Sequence, residues 1–139
     1  NADLTNAELS EKVGLSASQC ARRWERLKQD GYIRKSVCIL DARKLGFAVT
    51  AHTTISLNAH TEEVNRNLHA FIENAPEILE CYSQTGDADY LMKISVRDLD
   101  QLGEFIERLI RKSEGLLSVK SSIVLKTVKK TTALPLGFL

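Results

Sequence analysis

The chain has few cysteines and no close pairs of them. Cys20, Cys38 and Cys81 are odd in number and widely spaced, with no Cys-x-x-Cys and no Cys/His cluster, which argues against a disulfide framework or a zinc site. Reduced thiols in a cytoplasmic protein are the simplest reading. Long apolar runs are missing too. None reaches the ~18 residues that a bilayer span requires, so no membrane partner is expected. Residues 1–15 are polar and helix-patterned and lack the apolar stretch of a signal peptide. No low-complexity segment occurs. Charge is nearly balanced at a formal +1, which removes any global sign of a nucleic-acid binder.

What the chain does have is an uneven distribution of that charge. Residues 1–40 carry seven Lys/Arg against five Asp/Glu, residues 41–110 six against twelve, and residues 111–139 six against one. A mildly basic start, an acidic middle and a basic tail indicate two functional regions in a length that suits one ordinary domain or two small ones.

The start reads as a helix pair. Thr5 followed by Glu8 is a capping-box pattern, Leu9 and Val13 lie four apart on one face, and Gly14 is placed to end the helix in a left-handed conformation. Ser16 or Ser18 then caps a second helix running to about Asp30, where Gly31 stops it. Cys20, Trp24 and Leu27 share one face of that helix, and Trp24 is assigned to the core of the hairpin. Tyr32 to Leu40 reads as extended, and Asp41–Gly46 as a connecting turn.

From Phe47 the period changes. Ala48–Leu57 alternates as a strand with Val49, Ala51, Thr53, Ile55 and Leu57 on one face. Thr61–Asn74 is helical with Val64, Leu68, Phe71 and Ile72 as its stripe. Glu77–Thr85 and Tyr90–Val96 are strands joined by a tight Gly86–Asp89 connection. Asp98 caps a helix to about Lys112, with Leu102, Phe105, Ile106, Leu109 and Ile110 buried and Gly115 ending it. Val119–Lys129 is the last strand, and Pro135 marks a short tail. The order β-α-β-β-α-β makes an α+β, ferredoxin-like domain: an antiparallel four-stranded sheet with two helices on one face. The boundaries expected are residues 1–34 for the helix-turn-helix, 35–46 for an extended linker and 47–139 for the ferredoxin-like domain. The first and last strands carry apolar or small residues on both faces, so dimerisation through the sheet is expected.

Two places carry chemistry. In the helix pair, the second helix would enter the major groove N-terminus first. Ser16, Ser18 and Gln19 suit base edges and phosphates, while Arg22, Arg23 and Arg26 suit phosphates or, bidentately, guanine edges. The competing view is an arginine-rich, solvated hairpin. The second place is Ser83–Tyr90, where a glycine and two carboxylates between strands can offer backbone N–H groups to a carboxylate and Asp to an ammonium. Ordinary turn chemistry explains the same residues. No third metal ligand, nucleophile–base pair or phosphate loop accompanies them, so neither cofactor nor metal is called for. His52 on its strand is a candidate for a buried sheet interface, while His60 and His69 read as surface residues around the first helix of the second domain.

Three stretches of the sequence together resemble the Lrp/AsnC, or feast/famine, family of regulators. They are Asn6-Ala7-Glu8-Leu9-Ser10-Glu11-Lys12-Val13-Gly14-Leu15-Ser16, then Cys20-Ala21-Arg22-Arg23-Trp24-Glu25-Arg26-Leu27 with Gly31-Tyr32-Ile33, and Gly86-Asp87-Ala88-Asp89-Tyr90-Leu91-Met92-Lys93 with Pro135-Leu136 in the tail. The resemblance implies a homodimer built through the second domain's sheets, often assembled to octamers. It implies palindromic double-stranded DNA sites read by paired recognition helices, and a small-molecule effector, commonly an amino acid, near Gly86–Tyr90. Carried over by position, Ser16, Ser18, Gln19, Arg22, Arg23 and Arg26 face DNA, and Tyr82, Thr85, Gly86, Asp87 and Asp89 line or shape the effector site. Two departures stand out. The family places a helix before Thr5, so Leu9, Val13, Cys20, Trp24 and Leu27 would lack part of their cover, as expected of a truncated version of a longer protein. Trp24 also stands where the family has a smaller aliphatic residue.

Two other functions compete. Some haem-pathway decarboxylases resemble this family in both halves, but they need a tetrapyrrole pocket with placed His and Arg, and the scattered histidines give that little support. A metabolite sensor without DNA binding is the other, and the three arginines argue against it.

Overall fold

The structure, a computed structural model, describes residues 3–137. The chain divides into two compact units, one ending at Leu40 and the other beginning at Asp41.

The first unit holds α1 (Asn6–Val13) and α2 (Ala17–Gln29). Both helix starts are encoded locally. The Thr5 N–H donates to Glu8 Oε2 at 2.8 Å, and the Glu8 N–H donates back to Thr5 Oγ1 at 3.2 Å. Two donors that a helix start leaves open are thereby satisfied. The Thr5 N–H bond first, and then a bond from the Thr5 hydroxyl to the same Glu8 oxygen at 2.8 Å, hold the Glu8 carboxyl below its ordinary pKa, because both favour its ionised form. Gly14 closes α1 at φ 67°, a conformation a Cβ would strain. Of the two serines available, Ser16 caps α2. The reason is Gln19, whose amide stands at the third helical position and reaches back. A start at Ser18 would put Ala21 there, with nothing to return.

Packing in this unit is thin. Cys20 is the buried side chain of α2, Leu9 and Trp24 are half-buried, and Val13 and Leu27 remain 50% and 41% exposed. Trp24 therefore reaches the hairpin's interior only in part. A cleft of about 370 Å³ lined by Leu9, Trp24 and neighbours runs beside it. Tyr32–Leu40 pairs with no strand, and Val37, Ile39 and Leu40 are exposed.

The second unit is the expected β-α-β-β-α-β: β1 (Val49–Leu57), α3 (Glu62–Asn74), β2 (Ile78–Ser83), β3 (Tyr90–Val96), α4 (Leu99–Lys112) and β4 (Leu116–Ile123). The sheet order is β2-β3-β1-β4, with every pair antiparallel. Thr61 and Asp98 cap the two helices through their side chains. Ala51, Ile55 and Leu57 of β1, Met92, Ile94 and Val96 of β3, Leu68 of α3 and Leu102, Phe105 and Leu109 of α4 form one core. Fully burying a side chain of this size contributes ~1.5–3 kcal/mol. The opposite sheet face mixes small hydroxyl residues, among them Thr50, Thr54, Ser56, Ser118 and Ser122, with the apolar Leu91 and the polar His52, Glu80, Tyr82, Lys93 and Lys120.

Three expectations need correction. The last strand runs Leu116–Ile123, not Val119–Lys129. Its partner β1 starts at Val49, so after the Val124 N–H donates to the Thr50 carbonyl at 2.9 Å no ladder remains, and Leu125 and Val128 are 92% exposed. Ile110 is exposed, because it lies a residue past Leu109 and so about 100° around the helix from the core-facing side. Helix α4 ends at Lys112 as expected, but Ser113 caps it, and Gly115 sits in the turn beyond at φ 78° rather than ending the helix. His52 is exposed in the single chain, on the outer sheet face where a sheet interface would cover it.

Gly115 shows why that turn needs glycine. A Cβ there would lie 2.9 Å from Val64 Cγ1, on top of the left-handed backbone. Gly115→Ala is expected to cost ~1–3 kcal/mol, read as a lower urea midpoint at unchanged slope. A midpoint equal to wild type would refute the close approach.

Candidate nucleic-acid interface and effector loop

The basic surface begins at the cap of α2. Gln19, Arg22, Arg23 and Arg26 recur at i, i+3, i+4 and i+7, so they form one stripe along the helix. All are exposed, and together they line a hollow of about 250 Å³. Arg26 Nε lies 3.4 Å from Asp30 Oδ2. Arg22 and Arg23 have no ion pair among the described residues. The helix's other cation, Lys28, is turned away to Glu25 at 3.0 Å and to the Trp24 ring. Ser16 and Ser18 stand at the same end, their hydroxyls 3.1 Å apart.

The second site candidate is the β2–β3 connection. Its glycine, Gly86, adopts φ 116°. The Gln84 N–H donates to the Asp89 carbonyl at 3.0 Å, closing the loop. Three further bonds pin it to the end of β1. The Asp89 N–H donates to the Ile55 carbonyl at 2.8 Å, the Leu57 N–H to Asp89 Oδ2 at 2.7 Å, and Ser56 Oγ to the Asp87 carbonyl at 3.0 Å. His60 Nε2 lies 3.5 Å from the other Asp89 oxygen. Asp89 is thus a brace as much as a ligand candidate. Asp87 and Thr85 are exposed, and their side chains have no hydrogen bond among the described residues.

Tyr82 lies near the end of β2, two residues before Gln84. It stands on the outer sheet face, where its hydroxyl donates to Glu80 Oε2 at 2.9 Å and Lys93 Nζ lies 2.6 Å from Glu80 Oε1. The Lys93 bond, then the Tyr82 bond, hold the Glu80 carboxyl below its ordinary pKa, and Glu80 in turn raises that of Tyr82.

Two concavities in the second unit were not legible as sites in the sequence. A hollow of about 250 Å³ beside the loop is lined by His69, Ile72, Glu73, Cys81, Ser83 and Tyr90. His69 Nε2 lies 3.1 Å from the Tyr90 hydroxyl. Burial raises the Cys81 thiol pKa, and burial first, then Cys81 and Asp89, raises that of Tyr90. A groove of about 630 Å³ runs between α3 and α4, where Arg108 donates to Glu77 at 2.6 Å. Partial burial opposes ionisation of Glu77, but the Arg108 pair outweighs it and the pKa lies below its ordinary value. The only warning in the sequence was that Ser83 and Tyr90 flank the glycine loop. Among the described residues no group of three or more His, Cys, Asp or Glu could hold a metal ion, and no helix is long and apolar enough to cross a membrane.

A capped helix pair with an arginine stripe, followed by a ferredoxin-like sheet with a braced glycine loop, defines a DNA-binding transcription regulator with a ligand-binding domain. The family model for winged helix-turn-helix DNA-binding matches residues 1–34, and that for the Lrp/AsnC ligand binding domain matches residues 50–134. The chain belongs to the Lrp/AsnC family of transcription regulators. It is 36% identical to the transcriptional regulator AzlB of Bacillus subtilis, across 98% of this chain and 87% of that protein. It is 34% identical to the DNA-binding transcriptional activator DecR of Escherichia coli K12, across 92% of this chain and 84% of that one. A transcriptional regulator from Neisseria meningitidis, solved as an L-Met complex, superposes with a TM-score of 0.93 at 33% identity, covering 99% of this chain and 89% of that one.

Proposed function

We propose that this regulator grips DNA through α2 and that an amino acid bound near Gly86 tunes the grip. The observation that carries the DNA half is the Gln19, Arg22, Arg23 and Arg26 stripe, held on a helix whose start is fixed by its own capping box. In this reading α2 lies in the major groove, Ser16, Ser18 and Gln19 stand near base edges and the adjoining phosphates, and the three arginines hold phosphates or guanine edges. The test is anisotropy titration against a duplex selected from a random pool. Arg22→Ala is expected to weaken specific binding by ~1–3 kcal/mol with the thermal midpoint unchanged, since Arg22 is exposed. Equal affinity for variant and wild type sinks the assignment.

The effector half places an amino acid's carboxylate on backbone N–H groups around Gly86 and its ammonium on Asp87, with Thr85 and Asp89 shaping the loop. Tyr82 is retained only as a residue of the sheet face beside it. That the related Neisseria meningitidis protein was solved with L-Met supports this ligand class. Asp87→Ala is expected to weaken binding of the effector by ~1.5–3 kcal/mol, read by calorimetry on the amino acid that most raises the thermal midpoint of the wild type. The variant should keep the wild-type oligomer mass. Identical calorimetric affinity would remove Asp87 from the site.

Residues 47–139 are read as the effector and oligomerisation domain, residues 35–46 as its linker, and the outer sheet face as the homodimer contact, with assembly to octamers beyond it. A ligand that binds two assembly states unequally shifts DNA binding between them. No reaction is assigned, and the cytoplasm is the compartment.

A further inference from the structure

We infer that Gln19 selects guanine, and rejects adenine, at one position of each half-site; this rests on the proposed seating of α2 in the major groove. The reason lies in the cap. Gln19 Oε1 accepts from the Ser16 N–H at 2.9 Å and from the Ser16 hydroxyl at 3.1 Å. A carbonyl oxygen has two lone pairs, and both are engaged. The orientation of the amide is forced, because an NH₂ group cannot accept from a backbone N–H.

The same network fixes the hydroxyls. Ser16 Oγ accepts from the Gln19 N–H at 3.3 Å and gives its one hydrogen to Gln19 Oε1. Ser18, 3.1 Å from Ser16 Oγ, is therefore the donor of that pair. Gln19 is left with two free Nε2 hydrogens at the head of the arginine-lined hollow. It faces the groove as a donor only.

Base edges discriminate against such a group. Reading adenine bidentately takes the whole amide, its oxygen for N6–H₂ and its nitrogen for N7. Gln19 could supply that oxygen only by leaving the cap and stranding the Ser16 N–H. Guanine presents two acceptors, N7 and O6, which suit two hydrogens. Thymine presents one acceptor, and cytosine presents a donor that opposes them.

The capping box supplies its own control. Glu is a usual partner in this box, so Gln19→Glu keeps the acceptor for Ser16, and with it the helix, while removing both free donors. The carboxylate's outer oxygen would accept from cytosine N4. The experiment is selection and sequencing of bound duplexes from a random pool, using the full chain, for wild type and Gln19→Glu, with circular dichroism to confirm equal helix content. Wild type is expected to enrich guanine over adenine at one position per half-site by roughly tenfold, and the variant to replace it there with cytosine while the rest of the motif stands. Adenine at that position in the wild type, lost in the variant, would overturn the inference, since the amide would have left its cap. Identical motifs for both proteins would overturn it too, while leaving DNA reading by α2 intact. No motif from the wild type would overturn both.

Discussion

Raising the salt from about 50 to about 200 mM is expected to lower the affinity for a selected duplex roughly a thousandfold. The size follows from counting. Each α2 presents Arg22, Arg23 and Arg26, and the proposed dimer places two such helices on one palindrome. Six phosphate contacts displace about six condensed cations and give a slope near −5 in log affinity against log salt. Arg26 is not lost to the count by its pairing with Asp30, because that pair is exposed and 3.4 Å apart. Such pairs contribute at most ~1 kcal/mol and a phosphate competes well for the guanidinium. Anisotropy at several salt concentrations reads the slope directly. A slope near −3 would mean that a single helix engages. A slope shallower than about −2 would mean that the stripe is a solvated surface, and the DNA assignment would fall with it.

Phe105→Ala is expected to cost ~3–5 kcal/mol of the second unit's stability, a large share of the ~5–15 kcal/mol that holds a whole domain. Phe105 is 1% exposed, its ring lies 5.9 Å from that of Phe71 on α3, and the Arg108 guanidinium lies over the ring 5.6 Å from its centre. Truncation opens a cavity where α3, α4 and the sheet meet, and it releases the Arg108 that partners Glu77. The measurement is urea unfolding at one fixed protein concentration, because a dimer's midpoint moves with concentration. Leu109→Ala, at the adjacent buried turn, is expected to cost ~2–5 kcal/mol and covers the case in which Phe105→Ala fails to fold. A fall below about 1 kcal/mol in both would mean that this core is far more adaptable than its packing implies.

Much of the fold could be read from the sequence because it is local. Thr5 with Glu8 fixes a helix start within four residues, and Gly14 fixes its end. The alternation of Ala51, Thr53, Ile55 and Leu57 was enough for β1, since that central strand has one face on the core along its whole length. The site residues on α2 were legible for the same reason: a helix converts i, i+3, i+4 and i+7 into a stripe without outside help. The readings that failed are those set by a partner. The stretch after Ile123 keeps a strand-like composition through Val128, but the ladder ends where β1 ends. Ile110 matches its neighbours in chemistry and differs only in its angle about α4.

Tyr82 shows the boundary most clearly. Simple alternation along β2 puts Ile78, Glu80 and Tyr82 on one face. In the fold a register shift between Ile78 and Glu80 breaks that parity, so Ile78 and Cys81 pack on the core while Glu80 and Tyr82 turn outward. A bulge is a property of two strands, and no single strand's sequence displays it. The sequence alone determined the two capped helices, the arginine stripe, the β-α-β-β-α-β order and the position of the glycine loop. Only the tertiary structure decided which loop side chains are free. Asp87 is open to solvent, while Asp89 is committed to the Leu57 N–H at 2.7 Å, because the end of β1, some thirty residues away in sequence, arrives beside the loop only when the sheet closes.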